Sequence, residues 1–130
     1  MGGGRFPGWA GAGVLAMVVT LAACGGGGSG SSSGAGAPLP TGANAHDPTL
    51  LAGRTIFSAQ CASCHGPRGQ GALGPAFTGG RLLRDFPNPE DQVTFVSQGR
   101  GVMPAFSGIL THAEIESVVA YERSVLDGLK

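Results

Sequence analysis

The sequence is poor in cysteine, with three in 130 residues, and in charge, since Asp, Glu, Lys and Arg make up only 12% of it. Eight basic residues balance eight acidic ones, so the composition gives no reason to expect nucleic-acid binding. No stretch alternates apolar and polar residues for long enough to predict a β-strand. We therefore expect an all-α fold, and three cysteines leave little room for disulfides to stabilise it.

The apolar run near the N-terminus is too short to cross a membrane. As a helix, residues 12–23 would be about 18 Å long, against a hydrocarbon core of ~30 Å. A positive residue, Arg5, precedes this run, and the pattern is typical of a secretory signal peptide over residues 1–23. Leu21-Ala22-Ala23-Cys24 resembles a bacterial lipobox, which implies that Cys24 becomes the lipidated first residue. An ordinary signal peptide or an uncleaved anchor is the alternative.

Residues 24–45, which follow the apolar run, are rich in Gly, Ser, Ala and Pro and contain no charged residue. Such a composition buries too little apolar surface to offset the loss of chain entropy. We predict a disordered tether here, and a single domain over residues 46–130.

The motif Cys61-Ala62-Ser63-Cys64-His65 is the attachment pattern of a c-type haem. One helical turn brings the Cys61 and Cys64 thiols to the same face, where they can add to the two vinyl groups of one porphyrin. His65 then lies under the iron as an axial ligand. With Cys24 assigned to lipid, no cysteine remains for a structural disulfide. We therefore expect one covalent haem c to form the centre of this small domain.

Capping signals predict three helices. Asp47-Pro48 begins a helix that runs to about Cys61, and Asn88-Pro89 begins a second that ends before Gly99. Thr111 and Glu114 form a capping box for a third helix, whose buried face includes Val118 and the stem of Glu122.

The segment between the first two helices, residues 66–84, is rich in Gly and Pro and is predicted to be a loop. It contains a G-x-G-x-x-G match at residues 69–74. That match lacks the flanking strand and helix of a dinucleotide site. We instead expect its glycines to let the backbone approach the porphyrin edge.

Met103 is the candidate for the second axial ligand. It is the only methionine beyond the signal segment, and it lies in a loop with Gly101 and Pro104. A thioether suits haem iron, and His/Met ligation raises the reduction potential. The alternatives are that Met103 fills the core or that His112, in the first turn of the third helix, is the ligand.

Together these motifs resemble class I cytochrome c, particularly small bacterial monohaem forms, over residues 47–130. The resemblance implies helices wrapped around one haem. It also implies a set of supporting residues: Gly53 and Phe57 packing against Val118 and Tyr121 where the first and last helices cross, and the Pro75 carbonyl, after Gly74, accepting a hydrogen bond from His65.

Because both axial positions are filled by the protein, these residues favour electron transfer over catalysis. We predict a monomeric, membrane-tethered carrier of single electrons between respiratory redox partners, on the outer face of a bacterial membrane. A dedicated electron-entry subunit of a larger oxidase or dehydrogenase is the alternative, and a haem enzyme or gas sensor with a labile Met103 is a weaker one. A mildly basic face that meets an acidic partner is a further hypothesis; it would comprise Arg68, Arg81, Arg84 and Arg100.

Overall fold

The computed structural model describes residues 1–4 and 36–129. Its helices are α1 (Pro48–Ile56), α2 (Ala62–His65), α3 (Arg81–Asp85), α4 (Pro89–Gln98) and α5 (His112–Tyr121). One π-helical turn, Phe57–Cys61, joins α1 to α2, and another, Glu122–Leu126, continues α5. Within these described ranges there is no β-strand, and no helix is long and apolar enough to cross a membrane. The predicted all-α fold is confirmed.

The three predicted helix starts are present, each with a side-chain cap. The Asp47 carboxylate accepts hydrogen bonds from two backbone N–H groups of α1, and the Asn88 side chain accepts one at the start of α4. Thr111 and Glu114 form a reciprocal capping box at α5. In each case a short polar side chain satisfies donors that the first helical turn leaves free.

Helix α3 begins at Arg81, within the segment 66–84 that was predicted to be a loop, and ends one residue beyond it at Asp85. It follows Gly80, which adopts a left-handed conformation (φ 72°). The backbone N–H of Leu82 donates to the Asp127 carboxylate at 2.8 Å. Because this partner is 45 residues away in sequence, local composition could not reveal the helix.

Helices α1 and α5 cross at Gly53. A Cβ atom there would lie 2.1 Å from the Ser117 carbonyl oxygen, so only glycine allows the two backbones this approach. Beside the crossing, Phe57 and Tyr121 are completely buried, with ring centroids 5.7 Å apart.

The core consists of two clusters of buried side chains, and α5 contributes to both. The first cluster comprises Ala37, Leu50, Phe57, Cys61, Phe77, Leu82, Val118, Tyr121 and Leu126. The second comprises Val93, Val96, Phe106, Ile115 and Val119.

The packed part of the chain begins before residue 46, the predicted domain boundary. Ala37 is 5% exposed, and its carbonyl accepts a 2.7 Å hydrogen bond from Arg54 Nε. The Pro38 carbonyl accepts another, also at 2.7 Å, from the Tyr121 hydroxyl. The prediction of disorder was therefore wrong for the end of the tether. The prediction used only the composition of the segment itself, whereas the residues that hold the segment in place lie on α1 and α5. Most of the predicted signal peptide, Cys24 and the rest of the tether lie outside the described residues.

Candidate haem-binding site

The two motif cysteines lie on consecutive turns. Cys61 ends the first π-helical turn and is buried, whereas Cys64 lies in α2 and is exposed; both carry free thiols. Burial, with smaller contributions from Glu122 and Cys64, raises the pKa of the Cys61 thiol to about 12. Surroundings that disfavour a charged thiolate suit an uncharged sulfur, as in a thioether.

The imidazole of His65 is buried and fixed in orientation. Its Nδ1 lies 2.9 Å from the Pro75 carbonyl oxygen. Because a carbonyl can only accept, Nδ1 carries the hydrogen and the lone pair remains on Nε2, the nitrogen that a metal can use. The ring also stacks on Phe77, with centroids 4.2 Å apart and planes inclined by 25°. Sequence reasoning did not single out Phe77.

The loop that carries Pro75 is tied to the end of α2. The Gly74 N–H donates to the Cys64 carbonyl, and the Gly71 N–H donates to the His65 carbonyl, both at 2.8 Å. A Cβ at Gly74 would lie 2.7 Å from His65 Cε1. Glycine at this position therefore gives room to the His65 ring.

Met103 lies in a tight loop between α4 and α5. Its backbone N–H donates to the Arg100 carbonyl at 3.1 Å, and the Arg100 N–H donates back at 3.0 Å. Gly101, between them, has a φ of 62°. The Met103 side chain is half-buried and packs against the second core cluster. The competing candidate, His112, is exposed and lies 3.4 Å from the Glu116 carboxylate.

These residues fit a covalently attached haem. Leu73 and Val102, in the loops that carry Pro75 and Met103, are 85% and 98% exposed, as expected of side chains that a large apolar ring would cover. Two thiols, an imidazole with a free Nε2 and a thioether match the donor set of a c-type haem. In the described part of the chain no three His, Cys, Asp or Glu residues form a separate metal site.

The arginines of the hypothesised basic face differ in their surroundings. Arg81 pairs with Asp85 at 3.2 Å, and Arg84 donates to the Gly79 carbonyl at 2.8 Å. Arg68 and Arg100 are exposed. Of these four arginines, Arg81 is the one that pairs with an acidic side chain in the described part of the chain, and the docking face stays a prediction.

Glu122 departs from the sequence prediction. Only its stem was expected to be buried, yet the whole residue is 3% exposed. Burial raises the pKa of its carboxyl to about 8, although a hydrogen bond from Gln92 acts in the opposite direction. The helical periodicity of the sequence did place Glu122 on the buried face of the last helix, and this periodicity is the sequence signal for its burial.

Comparison with known proteins gives a family match over most of the helical domain. The family described as cytochrome c oxidase, cbb3-type, subunit III matches residues 48–121. Cytochrome c6 from Synechococcus sp. is 38% identical over 74 residues, which are 55% of this chain and 66% of that protein. The cbb3-type cytochrome c oxidase subunit CcoP of Azospirillum brasilense is 34% identical over 85 residues, 58% of this chain and 28% of that protein.

Solved structures agree with the sequence match. Cytochrome c6 from the diatom Phaeodactylum tricornutum superposes with a TM-score of 0.50 at 33% identity, covering 57% of this chain and 90% of that one. The chain thus spans just under two thirds of the first curated relative and a much smaller part of the oxidase subunit.

Proposed function

The chain belongs to the cytochrome c family, and on this basis we propose that it is a membrane-tethered carrier of single electrons between respiratory redox partners. Its cofactor is one covalently bound haem c. When bound, this group supplies a one-electron Fe(II)/Fe(III) couple.

The observation that carries the proposal is the 2.9 Å hydrogen bond between His65 Nδ1 and the Pro75 carbonyl. It holds Nε2 as the unprotonated nitrogen, and we assign this atom as one of the two protein ligands that would hold the haem iron. We assign the Met103 thioether as the other, and the Cys61 and Cys64 sulfurs as the covalent attachments. With these two side chains bound to the iron, no position would be left for a substrate, and this favours electron transfer over catalysis.

The rigid support of His65 also favours a role in electron transfer. The ring is held by the Pro75 carbonyl, the Phe77 stack and the close backbone of Gly74. A ligand that keeps one geometry in both oxidation states needs little reorganisation when an electron arrives or leaves.

Absorption spectroscopy of the purified protein tests these assignments together. We expect a pyridine haemochrome spectrum of c-type haem, reversible reduction, and the weak long-wavelength band of sulfur-ligated ferric iron. Met103→Leu should abolish that band and leave the haem attached. A wild-type protein without the band would contradict the Met103 assignment, and a protein without covalent haem would contradict the proposal itself.

We propose that Cys24 carries the lipid that anchors the domain at the outer face of the membrane. The twelve residues 25–36 separate it from the packed segment that begins at Ala37. As a Gly-rich coil, twelve residues span about 19 Å on average, so the domain would stay close to the membrane. Mass spectrometry of the mature N-terminus should find an acylated Cys24, and Cys24→Ala should release the protein from membranes. An unmodified N-terminus would contradict the anchor.

A second candidate function is that of an electron-entry subunit in a larger oxidase. The match to the cbb3-type subunit III family and to a CcoP subunit favours it. Extraction in mild detergent followed by native electrophoresis separates the two functions. Stable co-migration with oxidase subunits would support the subunit, whereas migration as a free monomer would support the mobile carrier.

A further inference from the structure

Glu122 is a buried carboxyl group without an ionic partner. The residue is 3% exposed, and in the described part of the chain ion pairs form only between Arg81 and Asp85 and between His112 and Glu116. Burial of an unpaired carboxylate costs free energy, because it removes the charge from water. Burial therefore favours the protonated, neutral form of the carboxyl group. Burial raises the pKa of the Glu122 carboxyl to about 8, which makes both protonation states accessible near neutral pH.

The hydrogen bond to Glu122 is compatible with both states. Gln92 Nε2 donates to Glu122 Oε2 at 2.9 Å. The other end of the same amide is fixed, because Gln92 Oε1 accepts from Arg123 Nη1 at 3.2 Å. Arg123 is held in turn by the Phe86 carbonyl at 2.8 Å. The amide therefore always presents its N–H to Glu122, and a carboxylate or the carbonyl oxygen of a carboxylic acid can accept it.

Glu122 also lies next to the haem-attachment segment. It shares the buried face of the last helix with Val118 and Leu126, which are in the same core cluster as Cys61. A negative charge on Glu122 raises the pKa of the Cys61 thiol. The carboxyl and the site of covalent attachment therefore interact electrostatically through a low-dielectric interior.

We propose that Glu122 is a proton-binding site linked to the haem, so that the protein takes up a proton together with its electron. The inference rests on the proposed electron-carrier function. When the bound haem accepts one electron from the donor protein, one proton from solvent would convert the Glu122 carboxylate to a carboxylic acid. On oxidation both leave, and no other bond forms or breaks.

The direction of the effect follows from charge. Reduction removes one positive charge from the iron, so the pKa of Glu122 is higher in the reduced protein than in the oxidised one. Between these two pKa values the reduction potential falls as pH rises, and outside them Glu122 contributes no slope. Complete coupling changes the redox equilibrium tenfold per pH unit, which is ~59 mV for one electron.

The other ionisable groups around Glu122 come from each neighbouring element. They are Arg54 of α1, whose charge acts on Tyr121, Cys61 of the first π-helical turn, Tyr121 of α5, Arg123 of the second π-helical turn, and Asp127, which follows that turn. Helix α4 presents the neutral Gln92. Cys61 is a thioether in the haem protein, and burial raises the pKa of Tyr121 to about 12. Asp127 accepts a hydrogen bond from the Leu82 N–H. Glu122 is the carboxyl group of this set whose pKa burial raises to about 8.

Spectroelectrochemical titration of the haem-loaded protein, at pH values on both sides of 8, tests the inference. Three proteins are compared: the wild type, Glu122→Gln, and the control Glu116→Gln, which removes a carboxylate whose side chain is 49% exposed on the same helix. The reduction potentials of the wild type and of the control should depend on pH in the same way. Where this dependence is steepest, the redox equilibrium constant should approach a tenfold change per pH unit. Glu122→Gln should lose that dependence. Equal pH dependence in all three proteins would overturn the inference.

Proton counting on the wild type gives a second measurement that does not depend on the folding of a variant. Reduction in weakly buffered solution with a pH indicator should take up protons between the two pKa values. No uptake at any pH would overturn the inference while leaving a reversible one-electron couple, and hence the proposed function, intact. A protein without a reversible couple would contradict the proposed function instead.

Discussion

Replacing Gly53 by alanine should destabilise the domain, although alanine is the better helix former. The added Cβ would lie 2.1 Å from the Ser117 carbonyl oxygen and 2.8 Å from Tyr121 Cβ, whereas ordinary contacts begin at about 3.4 Å. The nearest obstacle is backbone, which no side-chain rotation can relieve. The two helices must therefore move apart by roughly 1 Å, and the packing of Phe57 on Tyr121 loosens with them.

The magnitude follows from two opposing terms. Overpacking costs about 1–3 kcal/mol, and a rigid backbone contact belongs at the upper end. The higher helix propensity of alanine relative to glycine raises the free energy of unfolding by about 1 kcal/mol. The net loss for Gly53→Ala is thus about 2 kcal/mol, and the Tm of a domain of this size falls by roughly 8–16 °C.

Guanidinium unfolding of the haem-loaded protein, followed by circular dichroism, measures this loss. Ala52→Gly is the matched control, because it exchanges the same two residue types at an exposed neighbouring position of α1. It should cost about 1 kcal/mol through helix propensity alone. If Gly53→Ala instead raised the free energy of unfolding by a similar amount, the close crossing of α1 and α5 would be refuted.

Four further changes test the ligand, the N-terminal segment and both residues of a helix cap. Met103→Leu should let the reduced protein bind carbon monoxide, as measured by absorption; equally ready binding by the wild type would contradict Met103 ligation. Tyr121→Phe removes the hydrogen bond to the Pro38 carbonyl and should cost about 0.5–1.5 kcal/mol. Amide hydrogen exchange around Pro38 should become faster, and unchanged exchange would count against the packing of this segment. Thr111→Ala should cost about 1 kcal/mol through the lost cap, measured by the same denaturant titration. Hydrogen bonds from Thr111 hold the pKa of Glu114 below its usual value, so the stability that Glu114 adds at neutral pH should disappear as pH falls through that lowered pKa. Glu114→Gln should lack this acid-sensitive part.

Sequence reasoning succeeded where the cause of a structure is local. The caps at Asp47, Asn88 and Thr111 satisfy N–H groups two or three residues away, so their helices could be placed from a short window. The same holds for the haem motif, in which three side chains within five residues specify one chemistry. Pro75 came from the family resemblance, and the structure places its carbonyl beside His65.

It failed where the partner is distant in the chain. Helix α3 depends on Asp127, the packing of Ala37 depends on Arg54, and the burial of Glu122 depends on Gln92. These pairs are between 17 and 45 residues apart. A pattern read along one segment contains no information about such partners, since tertiary contacts decide whether a weak local preference is realised.

The division of the core into two clusters has a consequence for how the domain opens locally. His65 stacks on Phe77, which is in the first cluster, whereas Met103 packs against the second. Adjacent residues of α5, Val118 and Val119, belong to different clusters. Partial openings of a protein follow such cooperative units. We therefore expect local openings of the loop that carries Met103 while the histidine side of the domain stays folded, and the two iron ligands proposed above would then differ in local stability.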